Sequence, residues 1–231
     1  NPHMRPFETL DNSITPGGQR LSLHHRDGDY FIDFDGHELM STRVHDSETA
    51  LGKLACTTLR NIKQPRVLIG GLGLGFTLQA ALDTLPSHAE VIVAEVFPII
   101  IKWHERHLQS LGVPLNDQRV RVHEGDVGDL LGFDDRDRYQ AIVLDTDNGP
   151  DATCLSSNAS LYDDRGIERI KKSLEPGGVL AVWSAHSDRK FSQRLWRHGF
   201  SVKTETVRGH RRKGPQHKIF LATRPKQARR R

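Results

Sequence analysis

The sequence predicts an α/β fold: a Rossmann-like mixed sheet of seven strands with helices on both faces, preceded by a small antiparallel region. Three observations predict it. From Arg66 onward, apolar strand-like runs alternate with helix-like segments, which implies a largely parallel sheet. A glycine-rich loop, "VLIGGLGLGFT", joins the first of those strands to its helix. The last two strand-like runs have no helix between them, so they pair antiparallel, because a parallel pair needs a crossover.

The elements follow in order. "LSLHHRDGDYFIDFDG" alternates apolar and polar residues about Asp27-Gly28, a hairpin signal, and a second turn at Asp35-Gly36 leads into "HELM". This region reads as a small antiparallel sheet to about Val44. "DSETALGKLACTTLRNI" sets Leu51, Leu54, Ala55 and Leu59 on one helical face, with Asp46 or Ser47 as N-cap. Strand "RVLIG" then leads through the glycine loop into helix "FTLQAALDTL". Strand "EVIVAEV" leads into a helix with Pro98 in its first turn, where proline is permitted. "RVRVHEG" is a strand followed by a short helix at "VGDLL", and "YQAIVLD" is a strand followed by a loop and the helix "LYDDRGIERIKKSL". "EPGG" turns the chain into strand "VLAVWSA", "DRKFSQRLWRHG" is a helix, and "FSVKTETV" and "HKIFLATR" are the closing strands. Five βα units with an antiparallel last strand make the arrangement of the class I S-adenosylmethionine-dependent methyltransferase fold. The expected organisation is a vector remnant at 1–4, a β-hairpin region at 5–45, the catalytic domain at 46–224 and a basic tail at 225–231.

Composition narrows the class. The chain has 231 residues and is 36% hydrophobic, enough for one domain with a real core. It has no apolar run of membrane-spanning length, and no membrane role is expected. Two cysteines, Cys56 and Cys154, make neither a disulfide nor a zinc framework and fit a reducing, cytoplasmic setting. The net charge of +4 is unevenly spread. Residues 201–231 carry 11 Lys/Arg against the single acid Glu205, which leaves 22 basic and 28 acidic residues in the first 200. The body is therefore acidic, and the short basic end reads as solvated rather than as a nucleic-acid interface.

The chemistry-bearing residues sit where the predicted strands end. Gly71, Gly73 and Gly75 follow the first strand of the α/β part, and bare backbone there lets a ligand approach the sheet edge. Glu95, with Val96 beside it, ends the second strand, where a carboxylate can take both ribose hydroxyls of a nucleoside. Asp126, followed by Val127, comes after the third. It can accept a hydrogen bond from an adenine amino group, cap the helix that follows, or do both. "AIVLDTDNGPDA" carries Asp145 and Asp147 straight out of the fourth strand. These two are turn formers, ligands with Asn148 for Mg²⁺, or groups facing a substrate. Adjacent ligands on one short turn rarely complete an octahedron, so no metal is expected. His24, His25, His45 and His186 read as surface or packing residues, Trp183 as core or pocket wall, and Pro150 to Ser160 as a loop able to cover an acceptor.

From about Leu21 to Arg224 the sequence resembles the spermidine synthase-like (polyamine aminopropyltransferase) branch of that superfamily. The resemblance rests on the N-terminal hairpins, "VLIGGLGLGFT", "VIVAEVF", "VHEGDVGDL", "IVLDTDNGP" and "SLEPGGVLAVWS". It implies that Glu95 is the ribose-binding acid, that Asp126 with Val127 contacts adenine, and that Asp145 contacts the attacking amine, with Asp147 beside it as a second active-site group. It further implies a donor of the S-adenosylmethionine type, full or decarboxylated, a small amine acceptor and a homodimer. The sequence departs from the family at three points. Gly73 stands where aminopropyltransferases carry an aspartate for the donor's amine, Thr49 and Ala50 stand near their Tyr-Gln pair, and the motif after strand four is altered to D-T-D-N-G-P. The expected function is therefore transfer of a methyl or related alkyl group to an amine. Aminopropyl transfer in polyamine biosynthesis is the first alternative, and a non-catalytic or nucleic-acid-binding protein of this fold is the second.

Overall fold

The structure, a computed structural model, describes residues 6–132, 137–146, 156–210 and 213–226. The chain begins with an antiparallel sheet in the order β1 (Glu8–Ile14), β2 (Arg20–Arg26), β3 (Asp29–Phe34) and β4 (His37–Ser41). Both hairpins expected there are present. Their turns place Asp27 and Gly28 at φ 53° and 89°, and Asp35 and Gly36 at φ 50° and 79°. Two successive left-handed residues are the primed turn whose twist suits a two-residue hairpin. Alternation in β2 and β3 buries Leu21, Leu23, Ile32 and Phe34.

Helix α1 (Asp46–Cys56) follows, with Leu51 and Ala55 buried. Its N-cap is neither Asp46 nor Ser47, as expected, but His45, which makes no side-chain capping bond. The Ser47 hydroxyl is engaged elsewhere, donating to Glu48 Oε2 at 2.7 Å.

The main sheet has seven strands in the order β10-β11-β9-β8-β5-β6-β7. They are β5 (Arg66–Gly70), β6 (Glu90–Glu95), β7 (Val120–Glu124), β8 (Tyr139–Leu144), β9 (Leu174–Ser184), β10 (Ser201–His210) and β11 (Lys213–Thr223). β7, β6, β5, β8 and β9 pair in parallel, while β11 is antiparallel to both β9 and β10. Successive residues of the parallel strands point to opposite faces. Val67, Ile69, Val91, Val93 and Val143 meet α1, the helices α2 (Phe76–Thr84) and α3 (Pro98–Arg106), and the N-terminal sheet. Leu68, Ala94, Ile142, Leu144 and Val182 face the other way, against α4 (Ser156–Tyr162), α5 (Asp164–Ser173) and α6 (Arg189–Arg197). Strands buried on both sides explain the near-continuous apolar runs.

Three local expectations change. The segment read as one helix from Leu161 to Leu174 is two, because the Asp163 carboxylate accepts the Gly166 N–H at 2.7 Å and caps a new helix there. "VGDLL" forms a 3₁₀ turn, Val127–Leu130. "EPGG" does not leave the sheet but lies within β9: Gly177 N–H donates to Arg224 C=O at 2.9 Å and Arg224 N–H to Gly178 C=O at 2.8 Å. A register shift between Tyr139 and Ala141 absorbs the extra residues.

Chain direction sets the site. From β5 the chain moves outward to β6 and β7, then returns to β8 on the other side of β5. The carboxyl ends of β5 and β8 therefore flank the topological switch point, where open α/β sheets place their ligands.

Candidate functional site

A cavity of about 370 Å³ opens at that switch point, within the size range of small-molecule sites. The glycine loop, the ends of β6, β7 and β8, α4, the end of β9 and the β10–β11 hairpin contribute to its wall. The N-terminal sheet closes it with Phe34, Glu38, Leu39, Met40 and Ser41.

The loop needs its glycines for defined reasons. Gly71 has φ 92°, and a Cβ there would stand 2.4 Å from the Asp145 carbonyl oxygen, so only bare backbone lets β5 leave the sheet beside β8. At Gly73, φ 51°, a Cβ would meet the Met40 sulfur at 2.5 Å, so the thioether of the N-terminal sheet lies directly over the loop. Gly75 is the α2 N-cap residue and, unlike the other two, lies outside the cavity wall.

Glu95 is 4% exposed and braces this loop from below. Its Oε2 accepts the N–H groups of Leu72 at 3.0 Å and Gly73 at 3.3 Å, and its Oε1 accepts that of Phe97 at 2.9 Å. Burial pushes its pKa above the ordinary carboxylate range, opposed by those backbone donors. A carboxylate has about four lone-pair sites, so acceptor capacity remains beyond these three donors. The Gly73 carbonyl is held from the opposite side by His104 Nε2 at 2.8 Å. Burial of His104 lowers its pKa, opposed by its bond to the Gly73 carbonyl.

Val96 and Val127 line the cavity with Phe97 and Ile100, an apolar stretch of the kind a flat heterocycle fills. Asp126 serves as N-cap, its Oδ1 accepting the Gly128 N–H at 2.7 Å, and the residue borders the cavity. Trp183 is pocket wall, half-buried, its ring 4.7 Å from that of His217.

Asp145 reaches the wall directly from the end of β8, its Oδ2 accepting from Thr77 Oγ1 at 2.9 Å. Burial first, and the nearby Glu48 carboxylate second, push its pKa up to about 7. Asp147 and the Asn148-Gly149-Pro150 turn lie outside the described residues, as does most of the covering loop. Its described end begins α4, where buried Asn158 donates to the Thr146 carbonyl at 3.2 Å and lines the cavity. Among the described residues no group of three or more His, Cys, Asp or Glu is arranged to hold a metal, and no helix is long and apolar enough to cross a membrane.

The structure adds to the site Glu48, His217 and Met40, which the sequence did not single out, Ser47, which it offered only as an N-cap, and Asn158, from the covering segment. Glu48 looked like any first-turn acid, which a helix dipole favours without further purpose. His217 was one polar position in a strand. Neither carried a sequence signal of its partner, because α1, β8 and β11 meet only in the folded chain.

No protein-family profile matches the chain. A spermine synthase from Arabidopsis thaliana is 30% identical over 129 residues, 55% of this chain and 34% of that protein. Spermidine synthase 1 from Datura stramonium is 24% identical over 125 residues, 54% of this chain and 39% of that protein. The chain thus matches between a third and two fifths of the length of these relatives. Among solved structures, the spermidine synthase from Thermotoga maritima superposes with a TM-score of 0.71 at 15% identity, over 93% of this chain and 72% of that one. A spermidine synthase in complex with the transition-state analogue AdoDATO gives a TM-score of 0.69, also at 15% identity and with the same coverage.

Proposed function

We propose that this chain, which has the fold of the solved spermidine synthases, a seven-stranded mixed sheet with an N-terminal antiparallel sheet at the switch point, is a transferase that moves an aminopropyl group from decarboxylated S-adenosylmethionine to a cationic amine. The observation that carries this reading is the charge of the cavity. Glu38, Glu48, Glu95, Asp126 and Asp145 line it, and no lysine or arginine stands among the described lining residues. The sulfonium and amino groups of the decarboxylated donor and a protonated acceptor are all cations that such a wall attracts. A donor that keeps its carboxylate meets no cationic side chain there. The polyamine synthases named above support the same acceptor class.

In this reading Glu95 holds the ribose while it braces the glycine loop, and Asp126 and Val127 hold the adenine. Asp145 orients the acceptor nitrogen and takes its proton as the nitrogen attacks the carbon next to sulfur. A carboxyl poised near 7 is matched to that task at neutral pH. The second reading is methyl transfer from full S-adenosylmethionine. Gly73 favours it, since a glycine under the Met40 sulfur replaces the aspartate that aminopropyltransferases direct at the donor's amine.

Calorimetry with the two thioether products separates the readings. Tighter binding of methylthioadenosine is expected, and tighter binding of S-adenosylhomocysteine establishes methyl transfer instead. Binding of NAD with neither thioether overturns both.

A further inference from the structure

Glu48 and Asp145 are held on one wall of the cavity by two hydroxyls. Ser47 Oγ donates to Glu48 Oε2 at 2.7 Å and lies 2.9 Å from His217 Nδ1. A hydroxyl has one proton, so with that proton on the carboxylate, His217 Nδ1–H is the donor to Ser47. On the other side, Thr77 Oγ1 lies 2.9 Å from Asp145 Oδ2 and 3.2 Å from the Glu48 carbonyl oxygen. Ser47 is fully buried, and Thr77 nearly so.

The charged and titratable groups around Glu48 come from α1, β11 and the segments that follow β8 and β9. Asp46 neighbours it on α1, Asp145 faces it from the end of β8, and His217 lies behind Ser47 on β11, with His186 beyond. Glu38, Glu95 and Asp126 complete the acid of the cavity wall. Two carboxylates placed together without a cationic side chain either share a proton or hold a cation.

We infer that Glu48 is the second carboxylate of the acceptor subsite, pairing with Asp145 to take a primary alkylammonium group, and that His217 is its positioning residue, acting through Ser47. This rests on the transferase reading and adds to it the residues that hold the acceptor nitrogen. The two acids divide the work. Asp145 removes one proton from the ammonium and frees the lone pair. The new C–N bond forms as the C–S bond breaks with its electron pair leaving on sulfur. The positive charge of the sulfonium ends on the product nitrogen, where Glu48 continues to hold it.

The test is calorimetric titration with 1,4-diaminobutane at pH 6 and pH 8, on protein alone and on protein saturated with methylthioadenosine, with butan-1-ol as neutral control. Diamine binding is expected to be about tenfold tighter at pH 8 than at pH 6, with proton release on binding at pH 6, and butan-1-ol to bind at neither pH. Glu48→Gln keeps shape and removes charge; diamine affinity should fall about 10- to 100-fold, the range for a lost charge-assisted bond, while methylthioadenosine affinity changes less than twofold. Ser47→Ala and His217→Phe should each lower diamine affinity about 3- to 10-fold, since they remove hydrogen bonds that orient the carboxylate without removing its charge, and Ser47→Thr should restore it. Full diamine affinity in Glu48→Gln, equal binding of butan-1-ol, or no diamine binding to the unaltered protein overturns the inference. The titrations without nucleoside keep that outcome distinct from failure of the transferase reading, which falls if neither thioether binds.

Discussion

At the scale of the residue, Glu95, buried, and Asp145, half-buried, are two carboxylates whose surroundings assign them different work. Glu95 is enclosed by backbone N–H donors from the loop it supports, whereas the hydrogen bond described for Asp145 comes from Thr77 and its neighbour is another acid. Asp145→Asn should lower turnover about 10²- to 10⁴-fold, the usual worth of a positioned acid–base group, and leave methylthioadenosine affinity nearly unchanged. Steady-state kinetics on the accepting amine beside a nucleoside titration checks both halves. Glu95→Ala should act on both quantities at once. Nucleoside affinity should fall about 10- to 100-fold, and unfolding in urea should show a loss of about 1–3 kcal/mol, because the Leu72, Gly73 and Phe97 amides lose a buried charged acceptor.

At the scale of the element, the glycine loop is a strand-to-helix connection clamped between Glu95, His104, Met40 and the end of β8. The clamps are unequal, and two substitutions separate them. Gly71→Ala places a methyl against the Asp145 carbonyl, rigid backbone of the central sheet, and should cost about 3 kcal/mol or more through strain and clash. Gly73→Ala meets the end of the Met40 side chain, which can move, and should cost about 1 kcal/mol, the penalty of a side chain in the left-handed region. Chemical unfolding of the two variants measures the order, and a Gly73→Ala cost equal to that of Gly71→Ala would show that Met40 is held as rigidly as the sheet.

At the scale of the whole molecule, the fold stores like charge at its switch point. The folded pKa of Asp145 lies above the unfolded value of 3.8, so between about pH 4 and pH 7 the folded protein binds more protons than the unfolded chain. Stability from this group is full below pH 4 and declines as pH rises through 7. Asp145→Asn or Glu48→Gln should therefore raise Tm at pH 8, by about 2–4 °C for each kcal/mol relieved in a chain of this size, and raise it by less at pH 5, where only part of the stability has been lost. Scanning calorimetry at the two pH values reads the difference, and an equal shift at both would assign the effect to packing. Much of this architecture was legible in one dimension. Period-2 and period-3.6 patterns, the glycine loop and the helix-free closing hairpin determined a seven-stranded mixed sheet, because short-range periodicity reports which faces are buried. The same strand ends marked Gly71, Gly73, Glu95, Val96, Asp126, Val127 and Asp145, all of which the fold brings to one cavity. Boundaries set by local competition were misread, as where the Asp163 side chain splits α4 from α5 or the sheet retains "EPGG". Tertiary structure alone decided that Glu48 joins Asp145, that His217 reaches Glu48 through Ser47, and that Met40 covers Gly73. Those contacts join residues up to 170 positions apart, and no local pattern encodes a distance that only the closed sheet creates.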